Sequence, residues 1–130
     1  MSGGTRAVFI IDDDLSVRRA LARLLRSAGY EVETFTSARD FLERADCARA
    51  ACLVLDVRMP GQNGLELYES LVSGGYQIPA IFITGHADLL MADRAMKTGA
   101  IDFLPKVFRD EDFLAAVGTA IAQGRSPGAS

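Results

Sequence analysis

Five residues of this chain would do chemistry together if the fold lets them meet: Asp12 and Asp13 in the run Asp12-Asp13-Asp14, Asp56 at the end of an apolar run, Thr84, and Lys106. Carboxylates crowded into one pocket repel one another and take up protons unless positive charge is supplied. A hard divalent cation supplies it and seeks oxygen ligands. Mg2+ (or Mn2+) suits a shallow site with few carboxylates, because it keeps several waters and leaves places for phosphate oxygens. A lysine beside the cation adds a point charge for phosphate, and a threonine hydroxyl adds one more donor. Such a set would hold a phosphoryl group in transfer, where positioning and electrostatic stabilisation carry most of the catalysis. Asp56 is the candidate nucleophile, since carboxylates form acyl phosphates. Taken singly, each part has a plainer reading. Asp12 to Asp14 make a solvated turn and helix cap, Thr84 an ordinary strand-end hydroxyl, and Lys106 a solvated lysine.

These residues must be positioned by the elements around them. Short apolar, β-rich runs lie at 7–11, 32–35, 52–57, 80–84 and 101–104. Longer segments with helical spacing separate them. Their stripes are Val17, Leu21, Leu24 and Leu25; Phe41, Leu42 and Ala45; Leu65, Tyr68, Leu71 and Val72; Leu89, Ala92, Ala95 and Met96; and Phe113, Val117, Ala120 and Ile121. Asp14, Ser37 and Asp88 stand where helix N-caps are wanted, and Ser37 with Asp40 has the spacing of a capping box. Gly29, Gly74, Gly75 and Gly99 follow helical segments, where a left-handed residue closes a helix. Five β-α units in succession predict a parallel sheet covered on both faces. The fold class expected is α/β, a flavodoxin-like (βα)5 doubly wound, five-stranded parallel sheet of order 2-1-3-4-5. Ligands of such sheets sit at the carboxyl ends of the strands. Asp12 and Asp13 follow the first strand, Asp56 the third, Thr84 the fourth and Lys106 the fifth, so the topology brings all five together.

Composition bounds the remaining possibilities. The 130 residues suffice for one domain with a real core. The chain is 49% hydrophobic and 24% charged, as in ordinary globular proteins. A formal net charge of −3 argues against non-specific binding to nucleic acid or anionic membrane by this chain. Cys47 and Cys52 read as small buried hydrophobes, with a disulfide or redox pair as the alternative. No apolar run approaches the roughly 20 residues of a membrane span, and none resembles a secretory leader, so the expected location is cytoplasmic. Residues 1–124 are expected to form one domain, and 125–130 a flexible tail or truncated linker.

The stretches "IIDDD" (10–14), "LVLDVRMPGQNG" (53–64), "IFITGHAD" (81–88) and "DFLPK" (102–106) resemble the response-regulator receiver domain of two-component signalling, of the FixJ type. The likeness runs from about Ala7 to Gln123. It implies a phosphoacceptor switch in which Asp56 receives a phosphoryl group from a phosphohistidine of a sensor histidine kinase. It implies side-chain metal ligands Asp13 and Asp56, the Arg58 backbone carbonyl, and Asp12 through water. It implies contacts from Thr84 and Lys106 to the phosphoryl oxygens, and a switch in which Thr84 moves and Phe103 turns inward. The face of the fourth helix, fifth strand and fifth helix then changes, with homodimerisation on phosphorylation as one outcome. Arg58 and His86, two residues beyond Asp56 and Thr84, are the candidate modulators of acyl-phosphate lifetime.

The departure from that family pattern is Val107, which stands where a proline joined by a cis bond is usual. The Lys106–Val107 bond is expected to be trans, with a differently shaped loop after it. The alternative function is therefore a degenerate receiver acting only as an interaction module. A metal-dependent phosphatase lacks a second acid/base, and a flavin site would place phosphate against the carboxylate-rich first loop. A DNA-binding output domain is expected only in a longer parent, and direct nucleic-acid or membrane binding by this chain is not. The chain is expected to be a signalling domain with slow self-dephosphorylation rather than a turnover enzyme.

Overall fold

A computed structural model describes residues 6–59, 61–84 and 89–125. Five strands alternate with five helices: β1 (Ala7–Ile11), α1 (Leu15–Ser27), β2 (Val32–Phe35), α2 (Ala38–Arg44), β3 (Ala50–Asp56), α3 (Gly64–Ser73), β4 (Ala80–Thr84), α4 (Leu89–Thr98), β5 (Asp102–Pro105) and α5 (Asp110–Arg125). All pairings are parallel and the order is β2-β1-β3-β4-β5, as the β-α alternation predicted. β3 begins two residues earlier than the apolar run suggested, and a single 3-10 turn at Cys47–Arg49 leads into it.

Period-two alternation divides the core between the two faces of the sheet. Phe9, Ile11, Leu53, Leu55 and Phe82 point to one face, packing with Phe41 of α2, Leu67 and Tyr68 of α3 and Ala95 of α4. Val8, Ile10, Val54, Ile81 and Ile83 point to the other, packing with Leu21 and Leu25 of α1 and Phe113, Val117 and Ala120 of α5. The central strands are apolar on both sides because both sides are covered. Phe9, Phe35 and Phe41 meet with ring centroids 5.3–6.3 Å apart, anchoring α2 to the first face.

Three helical stripes are narrower than their spacing suggested. Leu42, Val72 and Met96 are exposed, because α2, α3 and α4 each bury only the centre of their apolar face. The Ser37 cap forms, with its side chain accepting from Asp40 N–H, but the box does not close. The Asp40 carboxylate turns instead to Thr36 N–H and Arg44. A closed capping box stands at α3, where Asn63 and Glu66 bond each other's backbone N–H. Its Asn-x-x-Glu spacing was readable in the sequence. Both cysteines are free. Cys52 is buried, with its thiol pushed up to about 12 by burial, whereas Cys47 is half-buried in the 3-10 turn. Asp88 lies outside the described residues.

Candidate functional site

Strand register builds the site. Ile11 pairs with Leu55, so the residues that follow, Asp12 and Asp56, emerge side by side at the carboxyl edge. Asp56 lies opposite Ile83 of β4, and Thr84 lies opposite Pro105 of β5. Lys106 N–H donates to the Thr84 carbonyl, carrying the β4–β5 ladder one residue past the strand and fixing the lysine at the rim. The local sequence then separates the three leading aspartates by role. Asp12 is fully buried. Asp13 is exposed. Asp14 caps α1, its side chain accepting from Val17 N–H at 3.1 Å.

One carboxylate oxygen from each of Asp12, Asp13 and Asp56 falls within 4.8 Å of the others. Asp12 Oδ1 accepts from Asp14 N–H at 2.9 Å, and Arg18 donates to the Asp12 carbonyl at 2.7 Å. Asp12 Oδ2 is buried without a hydrogen bond, and the Lys106 ammonium is 3.8 Å away. Asp56 Oδ1 accepts from Arg58 N–H at 3.1 Å, while Oδ2 faces Lys106 Nζ at 3.5 Å. Burial, above all, raises the Asp12 carboxyl to about 6. The Asp56 and Asp13 charges add to this; the Asp14 N–H and Lys106 oppose it. Burial raises Asp56 as well, opposed by Arg58 N–H and Lys106. The site is thus short of positive charge, with one lysine against three carboxylates. An orphaned buried carboxylate oxygen beside two further carboxylates fits a hard divalent cation.

The loop after Asp56 is shaped by close approach. A Cβ on Gly64 would lie 2.1 Å from the Asp56 carbonyl oxygen, so α3 can start there only on a glycine. Gly64 N–H donates to the Val57 carbonyl at 2.9 Å, which folds the loop back on the strand. Arg58 is exposed next to Asp56. Phe103 is half-buried and packs against the core face that holds α3 and α4. Val107 is fully exposed with φ +23°, and its bond to Lys106 is trans: among the described residues no peptide bond is cis. Pro60 and His86 lie outside the described residues. Two site features escaped sequence reasoning. Nothing in the spacing marks Arg18 as a partner of the Asp12 carbonyl, and the Gly64 contact is a distance that no pattern encodes.

Residues 8–118 match the family model described as the response regulator receiver domain. The chain belongs to that family. Nodulation protein W of Bradyrhizobium diazoefficiens is 50% identical over 118 residues, 91% of this chain and 52% of the relative. The solved structure of the response regulator StyR is 50% identical with a TM-score of 0.87, covering 93% of this chain and 61% of that one. The crystal structure of FixJ-N is 41% identical with a TM-score of 0.83, covering 92% and 96%. The FixJ-type likeness read from the motifs therefore stands. The receiver spans about half the length of the curated relatives it matches. Among its described residues no helix is long and apolar enough to cross a membrane.

Proposed function

We propose that this receiver domain is an active phosphoacceptor switch, in which Asp56 takes a phosphoryl group from a phosphohistidine of a sensor histidine kinase. The observation that carries this reading is the gathering of Asp12, Asp13 and Asp56 oxygens within 4.8 Å, with Lys106 Nζ 3.5 Å from Asp56. Asp12, Asp13, Asp56 and the Arg58 carbonyl would hold Mg2+ or Mn2+, with Asp12 acting through water. The cation would neutralise the carboxylates and the charge on the transferring phosphoryl oxygens.

An Asp56 carboxylate oxygen attacks phosphorus as the P–N bond breaks. The bonding pair returns to the ring nitrogen, and the imidazole leaves neutral when its other nitrogen carries a proton. Lys106 and the Thr84 hydroxyl bind the phosphoryl oxygens. The Arg58 N–H holds the Asp56 carboxylate in one orientation, which lowers the ordering cost of the step. The acyl phosphate then decays slowly by water attack, with Arg58 and His86 as modulators, so the domain is a signalling switch rather than a turnover enzyme.

An apolar groove of about 640 Å³ borders Lys106 and is lined by Val17, Leu21, Leu24 and Phe108. It is where the phosphodonor domain would rest while reaching Asp56. On the far side, movement of Thr84 would let Phe103 turn inward and alter the α4-β5-α5 face. The exposed Leu90 and Met96 of α4 support self-association through that face. Residues 125–130 would lead, in a longer parent, toward a DNA-binding output domain, as the length of the relatives suggests. The setting of such a relay is cytoplasmic.

Val107 favours the alternative, an interaction-only receiver, because it replaces the usual proline. The Lys106–Asp56 distance favours the active reading. Intact-mass measurement after incubation with acetyl phosphate and Mg2+ separates the two. One phosphoryl group is expected on the wild type and none on Asp56→Asn. Equal labelling in excess chelator, or of Asp56→Asn, would overturn the assignment.

A further inference from the structure

The sheet edge at β2 carries a feature that the phosphoacceptor site does not use, apart from the bond of Arg18 to the Asp12 carbonyl. Four arginines of α1, Arg18, Arg19, Arg23 and Arg26, fall within an arc of about 140° at 100° per residue. Ala22 lies inside that arc, small and buried, and Leu15 lies about two turns before it on the same side. The arginines therefore stand around a low apolar floor instead of a ridge. Arg44 of α2 faces them across the gap, and together these residues line a cavity of about 590 Å³. That volume lies within the range of small-molecule sites.

No carboxylate lines this cavity. Arg44 is the only one of the five arginines with an ion-pair partner in the described structure, bonding Asp40 at 2.6 and 2.9 Å. Arg18 donates to the Asp12 carbonyl, and Arg26 makes a long 3.5 Å contact to the Val32 carbonyl, but neither meets a negative charge. Arg19 and Arg23 are exposed and point to no acid. Four uncompensated guanidiniums thus share one concavity in a chain whose formal net charge is −3. Their mutual repulsion is relieved by an anion carrying two or more charges.

The geometry selects the kind of anion. Guanidiniums converging from two helices across a concavity suit a compact ligand with several acceptor oxygens, which planar forks grip bidentately. A flat macromolecular surface would instead meet a convex stripe. Thr34 at the rim adds polar groups, and the Leu15–Ala22 floor accepts the apolar face of a ring. We infer that the cleft between α1, β2 and α2 binds a phosphorylated small molecule bearing a diphosphate-type anion, with a planar ring on the apolar floor.

The test uses the whole chain in metal-free, low-salt buffer, which separates this site from the aspartate pocket. Pyrophosphate and ADP are titrated while backbone amide shifts are followed. Saturable shifts are expected along α1, Thr34 and Arg44, with a Kd of about 1 mM or tighter. ADP should bind more tightly than pyrophosphate, and adenosine alone should not bind. The double variant Arg19→Ala/Arg23→Ala should weaken both by about tenfold or more, with the unfolding midpoint not lowered because both side chains are exposed. Arg39→Ala, an exposed arginine outside the cleft, should leave affinity as it is. No saturable shift at this face, equal weakening by Arg39→Ala, or citrate binding as tightly as pyrophosphate would overturn the assignment. Tighter binding of an acidic peptide than of ADP would also overturn it, and would assign the cleft to a protein partner.

Discussion

The first atom of any side chain on Gly64 would stand 2.1 Å from the Asp56 carbonyl oxygen. The contact is with backbone, which cannot swing aside as a side-chain tip can. α3 begins on Gly64, so the helix start and the end of β3 are locked to one another. Gly64→Ala is expected to destabilise the fold by about 2–4 kcal/mol, through displacement of this loop. It should also slow labelling by acetyl phosphate. Urea unfolding checks the first effect; a loss under about 0.5 kcal/mol would show that the loop yields without cost.

Asp12 offers a test of the pocket's missing positive charge. Its carboxyl is raised to about 6 by burial, against an ordinary value near 3.8. The folded state therefore binds this proton more tightly than the unfolded state. Metal-free stability contributed by Asp12 should rise as pH falls through about 6 toward 4, and be lost above 6. Asp12→Asn removes the charge and keeps the shape, leaving an amide that can donate to the neighbouring carboxylates. It is expected to stabilise the metal-free chain at pH 7.5 by about 1–3 kcal/mol, a gain that shrinks toward pH 4.5. Excess Mg2+ should stabilise the wild type more than the variant. Thermal melts at two pH values, with and without Mg2+, decide the matter; a variant less stable than wild type at pH 7.5 without metal would contradict it.

The aspartates were legible because each obeys a local rule that composes into a global one. Apolar runs alternate with helical spacing, and parallel strands put their carboxyl ends on one rim. Asp56 and Thr84 end their strands and Asp12 and Lys106 follow theirs by one residue, so topology alone brought them together. Distances were not legible. Whether Asp13 or Asp12 faces solvent depends on one residue of rotation after β1, and the sequence offers three identical side chains there. The exposure of Leu42, Val72 and Met96 was also hidden, since periodicity marks the direction of a face but not its width. Helical spacing puts Arg18, Arg19, Arg23 and Arg26 on one side of α1; only the placement of Arg44 across from them makes that side a cleft.

Asp40 gives an opposite pH signature from Asp12. Arg44 chiefly, helped by Thr36 N–H, holds its carboxyl well below the usual carboxylate range. A depressed folded value contributes stability above the unfolded value, near 4, that is lost as pH falls through the folded value. Asp40→Asn is thus expected to lower the melting temperature at pH 6 and to matter progressively less below pH 4. The same substitution frees Arg44, whose guanidinium lies 4.8 Å over the Phe35 ring and donates to the Thr34 carbonyl. A melting-temperature difference that stays constant from pH 6 to pH 3 would show that the carboxylate's charge is not the source of the effect.

Val107 is the one non-glycine residue with positive φ in the described structure, and it is β-branched. A branched Cβ in this region crowds the backbone carbonyls, at a cost of roughly 1–2 kcal/mol. Full exposure means that no packing offsets the cost. Val107→Gly removes the crowding but loosens the unfolded chain, which takes back some tenths of a kcal/mol. The net expectation is stabilisation by about 0.5–1 kcal/mol, with the Lys106 N–H to Thr84 bond retained. Val107→Pro is a different experiment. Proline fixes φ near −65°, far from +23°, so the loop from Lys106 to Arg109 must be rebuilt before the substitution fits. The proline variant is therefore expected to alter labelling kinetics by moving Lys106, whereas the glycine variant should leave them within about twofold. Urea unfolding and acetyl-phosphate time courses on both variants separate strain from positioning. Destabilisation by glycine, or identical kinetics for wild type and proline variant, would place the control of Lys106 outside this loop.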